Sequence, residues 1–212
     1  GKGVIPPSCK GYDESLGSLE FDADKAAEML DEAGWVMGSD GIREKDGEPL
    51  NLLLTLESDY SATSMPTAEV IKSQLAEVGI DVTIYGTEQM QWYADYLEGK
   101  FDLTLWHSQF AFASPHCWFT PMDSMVPQTP SLPGIEGSDE FLATIKNLTN
   151  MVDEQEVRNT YTYLFNFDVG TVLDIPLTYQ KDMIVYNTDK ISGYTFTGTP
   201  YFFDILSLEP AE

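Results

Sequence analysis

Apolar and polar positions along residues 66–106 repeat with two different periods, and the switches between them predict helix, strand, helix, strand. Val70, Ile71, Leu75 and Val78 recur at helical spacing behind Pro66, which suits a first helical turn, and Gly79 can adopt the left-handed conformation that ends a helix. Ile80, Val82 and Ile84 then alternate with Asp81, Thr83 and Tyr85, predicting a strand with one buried and one wetter face. The cycle repeats. Trp92, Tyr93, Tyr96 and Leu97 mark a second helix closed by Gly99, and Phe101, Leu103 and Leu105 mark a strand that delivers Trp106 at its C-terminal end.

The flanking sequence extends this alternation. Asp22 or Asp24 is placed to cap a helix running to Gly34, with Met29, Leu30 and Ala33 on one side and Phe21 as a hydrophobic staple. Residues 38–49 read as a polar hairpin, and Leu50, Leu52, Leu54 and Leu56 alternate as a strand followed by a polar link over 57–65. Downstream, residues 126–137 form a Pro/Gly-rich loop. Ser138 is placed to cap a helix carrying Phe141, Leu142, Ile145 and Leu148. Asp153 with Glu156 begins a longer helix in which Val157, Tyr161, Leu164, Phe165 and Asp168 keep helical spacing toward Gly170. Residues 175–186 read as strand, and the apolar run YFFDILSL needs a partner surface. The class is α/β, divided into a connecting loop over 1–20, an α/β domain over 21–170 and a C-terminal segment over 171–212.

Charge narrows the partners. With 35 acidic and 11 basic side chains, the net charge of -24 repels phosphate backbones and anionic lipid heads. Arg43 and Lys45 are the nearest approach to a basic cluster, and Glu44 and Asp46 interrupt it, so no nucleic-acid partner is expected. No apolar run reaches the roughly 18 residues of a membrane-spanning helix. Two cysteines, Cys9 and Cys117, are too few for a disulfide framework. The opening GKGVIPPSCKGY has no initiator Met and reads as a loop from within a longer protein.

Ligands of open α/β sheets bind outside the carboxyl ends of the strands, which directs attention to WHSQFAFASPHCWFTPMDSM, residues 106–125. This stretch holds both histidines and two of the four tryptophans, a composition that suits either a ligand wall or a hydrophobic loop folded onto a core. An enzyme is not expected. Cys117 follows His116 directly, and sequence neighbours usually point apart; no GxSxG, HExxH or Gly-rich phosphate loop is present. The acidic pairs Asp139–Glu140 and Asp153–Glu154 sit in first helical turns, where they favour the helix dipole.

In combination, FDADKAAEMLDEAGW, DGIREKDGEPLNLLL, AEVIKSQLAEVGIDVTIY, YLEGKFDLTLW and DIPLTYQKDMIVYN resemble the C-terminal part of the family 5 extracellular solute-binding proteins, the oligopeptide, dipeptide and nickel receptors of ABC importers. The resemblance implies a mixed-sheet lobe of a type II periplasmic-binding-protein-like clamshell, present as a fragment of the full receptor. Residues 171–212 would return through the hinge toward the first lobe, with association or rearrangement around 195–208. It further implies a nickel chelate or short peptide as ligand, ABC-transporter membrane subunits as partners, and a place on the extracellular side of the cytoplasmic membrane, periplasmic or lipid-anchored. No resident cofactor is implied; nickel would be cargo.

In nickel-type members the strand carrying FDL ends in Trp and is followed by aromatics and a Pro-His pair, which Trp106, Phe110, Pro115 and His116 resemble. Extra residues separate Trp106 from Pro115, and Ser114 stands where an Asp commonly precedes the Pro. The resemblance makes His116 the metal-chelate candidate, neutral imidazole being a favoured Ni(II) ligand, with a structural role as its alternative; His107 reads as structural. For a peptide ligand the walls would be Trp106, Phe110, Phe112 and Trp118. The alternative outside this family's role is a surface interaction module that uses its acidic face and takes no small molecule.

Overall fold

The structure, a computed structural model, describes residues 3–7, 9, 12, 19–107, 115–123, 130–179, 181, 183–196 and 203–211. Its contacts form two compact units: residues 20–107 with 129–131, and residues 1–19 with 108–128 and 132–212.

The first unit begins with helix α1 (Ala23–Glu32), capped by the Asp22 carboxylate, which accepts from Lys25 N–H. Phe21 is 77 % exposed and so gives no staple. Strands β1 (Val36–Met37), β2 (Arg43–Lys45) and β3 (Glu48–Pro49) make an antiparallel meander. Its second turn is Asp46-Gly47, both at positive φ, as the two-residue hairpin geometry demands.

Strands β4 (Asn51–Glu57), β5 (Asp81–Thr87) and β6 (Leu103–Leu105) form a parallel sheet in the order β5-β4-β6. Helix α2 (Ser64–Glu77) connects β4 to β5, and α3 (Gln89–Leu97) connects β5 to β6. The expected alternation holds for β5, where Val82 is buried and Thr83 and Tyr85 are exposed. It fails for β4. Leu54, Thr55, Leu56 and Glu57 are all buried, because β4 is the central strand and helices cover both faces. Leu54, Leu56 and Val82 meet Ala68, Ile71 and Leu75 of α2; Thr55 and Thr104 point the other way, toward α3. Val70, read as part of the buried stripe, is 56 % exposed, and Ala68 takes that place.

Three helices of this unit end alike. Gly34, Gly79 and Gly99 have φ of 87°, 85° and 69°, and in each case the next residue's N–H returns to a carbonyl five positions back: Trp35 to Leu30, Ile80 to Leu75, Lys100 to Asp95. Arg43, 3 % exposed, ties the ends of α1 and α2 together. Its guanidinium donates to the carbonyls of Val78, Trp35 and Ala27 and pairs with Asp31.

The second unit contains α4 (Pro115–Phe119), a 3-10 turn (Thr120–Asp123), α5 (Ser138–Asn147), α6 (Glu154–Gly170) and the antiparallel pair β7 (Ile191–Tyr194) and β8 (Leu208–Pro210). Ile5, Phe119, Phe141, Ile145, Leu164 and Phe165 are the centre of its core. Asp153 caps α6 as expected, accepting from Gln155 and Glu156 N–H. Ser138 is not a cap: Gly137, at φ 86°, occupies that position, and Ser138 is already helical. Among the described residues of 175–186 there is no strand. A strand exists by pairing, and Met183 and Val185 are 90 % and 97 % exposed; among the described residues the chain pairs later, through β7 and β8.

Candidate functional site

The C-terminal edge of the parallel sheet brings together residues that are far apart in sequence. Side chains alternate along a strand, so Thr55 and Glu57 of β4 share a face with Thr104 of β6 and with Trp106, which follows it. On that face Thr55 Oγ1 donates to Thr104 Oγ1 at 3.0 Å, and the Trp92 indole N–H donates to the same Thr104 oxygen at 3.1 Å. Buried Trp92 is thereby fixed against the sheet. Trp106 lies on it at a centroid distance of 5.1 Å and against Tyr96 at 4.7 Å. Trp106 remains 39 % exposed, so a fixed aromatic stack presents one open ring.

His107 continues this shelf. Tyr60 stacks on its imidazole at 3.2 Å and 9°, and Trp92 lies 6.2 Å away, nearly parallel. Its Nε2 is 3.8 Å from Oε2 of Glu57. Glu57 is 7 % exposed, and that oxygen has no hydrogen-bond partner among the described residues. Leaving a buried acceptor unsatisfied costs about 1–3 kcal/mol. Burial pushes the Glu57 carboxyl above its ordinary range, helped by the negative charge of Asp59, and burial pushes His107 below its own. The pair therefore rests toward neutral imidazole beside a carboxyl that ionises reluctantly.

His116 and Trp118 belong to the second unit. His116 lines a shallow, open pocket of about 210 Å³ with Thr120, Asp123, Ile145, Lys146 and Thr149. Trp118 packs against the core, and its indole N–H donates to Oδ2 of Asp168 at 3.1 Å. Asp168 is fully buried, and its Oδ1 has no hydrogen-bond partner among the described residues. Burial, then the charge of neighbouring Asp174, raises Asp168 well above the usual carboxylate range; burial raises Asp174 to about 6. One proton shared by the two carboxyls relieves both. Phe110 and Phe112 lie outside the described residues.

Of the residues singled out from sequence, Trp106 is thus on the shelf, while His116 and Trp118 are in the other unit. Glu57 and Tyr60 were missed because they sit in a stretch read as a polar link, and His107 was read as structural. The signal that points to them is strand parity: Glu57 ends β4 on the face that carries Trp106. Among the described residues no group of three or more His, Cys, Asp or Glu side chains is arranged to hold a metal, and no helix is long and apolar enough to cross a membrane.

The sequence profile of the bacterial extracellular solute-binding proteins, family 5 Middle, matches residues 1–129. A nickel-binding periplasmic protein of Escherichia coli (strain K12) is 32 % identical over 122 residues, which is 56 % of this chain and 23 % of that protein. An oligopeptide-binding protein of Lactococcus lactis subsp. lactis (strain IL1403) is 36 % identical over 91 residues, 42 % of this chain and 14 % of that one. The crystal structure of NikA from Brucella suis in complex with Fe(III)-EDTA superposes with a TM-score of 0.87 at 26 % identity, over 99 % of this chain and 42 % of that one. The chain therefore spans less than half the length of the relatives it matches.

Proposed function

Because the chain belongs to the bacterial extracellular solute-binding proteins of family 5, we propose that it acts as a ligand-capturing lobe in the solute-binding subunit of an ABC importer. The aromatic shelf at the C-terminal edge of the sheet holds a nickel chelate or a short peptide, and the subunit delivers it to the membrane components of the transporter. The observation that carries this reading is the half-open Trp106 resting on buried Trp92 and Tyr96, at the edge where open α/β sheets bind ligands. The names of the nickel-binding and oligopeptide-binding relatives support the two ligand classes.

In this reading the protein performs no chemistry. Ligand binding shifts a conformational population toward the closed, transport-competent state, and the shift equals the difference in ligand affinity between open and closed forms. The subunit works on the extracellular side of the cytoplasmic membrane, periplasmic or lipid-anchored. Residues 171–212 return through the hinge toward the first lobe, which gives a use to the exposed Phe203, Ile205 and Leu206. From the sequence resemblance alone, and separately from the shelf, we also propose His116 for metal-chelate contact and Phe110, Phe112 and Trp118 for ligand walls.

Native mass spectrometry of the full-length protein purified from its own host tests the reading. One added mass with nickel's isotope pattern establishes a metal-chelate receptor, and a ladder of peptide masses establishes peptide import. A protein that retains no small molecule overturns both and leaves the acidic interaction module.

A further inference from the structure

The 3.8 Å between Glu57 Oε2 and His107 Nε2 is informative because it matches neither of the usual ways to satisfy a buried carboxylate. A direct charge-assisted hydrogen bond needs about 2.8 Å, so the two groups would have to close by about 1 Å. A bridging water, at about 2.8 Å from each at its preferred angle, sets its partners roughly 4.5 Å apart, about 0.7 Å more than the gap. An ion bound at about 2.1 Å by both a carboxylate oxygen and an imidazole nitrogen sets those atoms about 3.4 Å apart at a tetrahedral angle. That is within about 0.4 Å of the observed gap.

We propose that Glu57 and His107 form a two-donor site for a divalent transition-metal ion, whose remaining positions are filled by water or by small organic ligands that arrive with it. The site deepens the reading of the shelf as a ligand site and rests on it. Three observations carry the assignment. Oε2 is a buried acceptor with no partner among the described residues. The Tyr60 stack holds the imidazole plane so that Nε2 is the atom nearest Glu57. The donor set, one imidazole nitrogen and one carboxylate oxygen, suits zinc, nickel or copper rather than magnesium or calcium. Trp92 and Trp106 flank the site, so organic ligands on the ion meet aromatic walls.

The test is a Co(II) titration of the 212-residue chain at pH 7.5, followed by d–d absorption, with Zn(II) added to a 15N-labelled sample to read the His107 ring nitrogens. One equivalent of Co(II) is expected to bind, and Zn(II) is expected to shift Nε2 of His107. His107→Gln and Glu57→Gln should each weaken Co(II) binding at least tenfold. The assignment is overturned by an unmoved His107 Nε2 resonance, by Co(II) affinity indifferent to both Gln variants, or by affinity lost in His116→Ala alone. The NMR readout on the unaltered chain does not depend on any variant folding. If the full-length protein carries peptide masses while Co(II) ignores Glu57 and His107, the metal site fails and the solute-binding reading stands. If Co(II) follows these residues and the full-length protein retains no small molecule, the solute-binding reading fails instead.

Discussion

Trp118 donates its indole N–H to one carboxylate oxygen of Asp168 at 3.1 Å, while the other has no hydrogen-bond partner among the described residues and neighbouring Asp174 raises the carboxyl. Both carboxyls are raised, so the unfolded chain releases these protons at lower pH than the folded one. The stability the pair contributes is full below the unfolded value near 3.8 and is lost as pH rises, through about 6 for Asp174 and beyond the usual carboxylate range for Asp168. Asp174→Asn supplies an N–H donor in place of the shared proton. We expect it to be more stable than the parent by about 1–3 kcal/mol at pH 7.5, with the advantage gone at pH 4, as thermal melts at a series of pH values would read. His107 acts in the opposite sense: its lowered value gives stability above pH 6.5 that is lost on acidification. It is common to both proteins, so the difference between them isolates the pair. Equal pH profiles would show that the two carboxyls share no proton.

Helix α6 ends as the glycine-terminated helices do, with Val172 N–H on the Val169 carbonyl and Leu173 N–H on that of Asp168, but the left-handed residue is Val172, at φ 57°. A β-branched side chain there costs roughly 1–2 kcal/mol relative to glycine, and Val172 is half exposed, so little burial offsets it. Val172→Gly should therefore raise the urea midpoint by an amount equivalent to about 1 kcal/mol, after the extra backbone entropy of glycine is counted. A lowered midpoint would mean that the valine side chain contributes packing that outweighs its strain.

Arg43 is the buried cation that satisfies the ends of α1 and α2. Removing it leaves the Val78 and Trp35 carbonyls without this donor in a site with little access to water. Arg43→Met should cost about 3 kcal/mol or more, read by chemical denaturation. Arg43→Lys should recover only part, because one ammonium cannot reproduce the guanidinium fork. Hydrogen exchange should then be faster at the C-terminal turns of both helices before it changes in the sheet.

Local chemistry made much of this fold legible. The Asp22 and Asp153 caps, the glycine stops at Gly34, Gly79 and Gly99, and the alternation of β5 are each decided within a few residues. What was not legible depends on partners distant in sequence. β4 loses its alternation because it is central, paired on both sides as Leu54 is with Leu103, and helices cover both of its faces. The 175–186 run has strand composition, yet no strand forms among its described residues, because composition alone does not set pairing. Val172 runs against its own conformational preference, so no propensity rule finds it. The site divides in the same way: Trp106 follows from the end of an alternating run, whereas Glu57 meets His107 only through the parallel pairing of β4 with β6.

Trp92 and Trp106 are in contact at 5.1 Å, yet their burial predicts opposite consequences of truncation. Trp92 is 4 % exposed and hydrogen-bonded to Thr104, so Trp92→Ala should cost about 3–5 kcal/mol in a urea denaturation. Trp106 is 39 % exposed and offers its open ring to solvent, so Trp106→Ala should cost about 1 kcal/mol. Ligand retention should separate them the other way. In the full-length protein, Trp106→Ala is expected to lose at least tenfold in affinity for whatever mass the parent retains in native mass spectrometry, with its melting temperature nearly unchanged. A Trp106→Ala protein that keeps its ligand would show that the shelf is not the ligand wall. A Trp106→Ala protein that melts as early as Trp92→Ala would show that the open ring serves the core, because stability and ligand retention would then fall together.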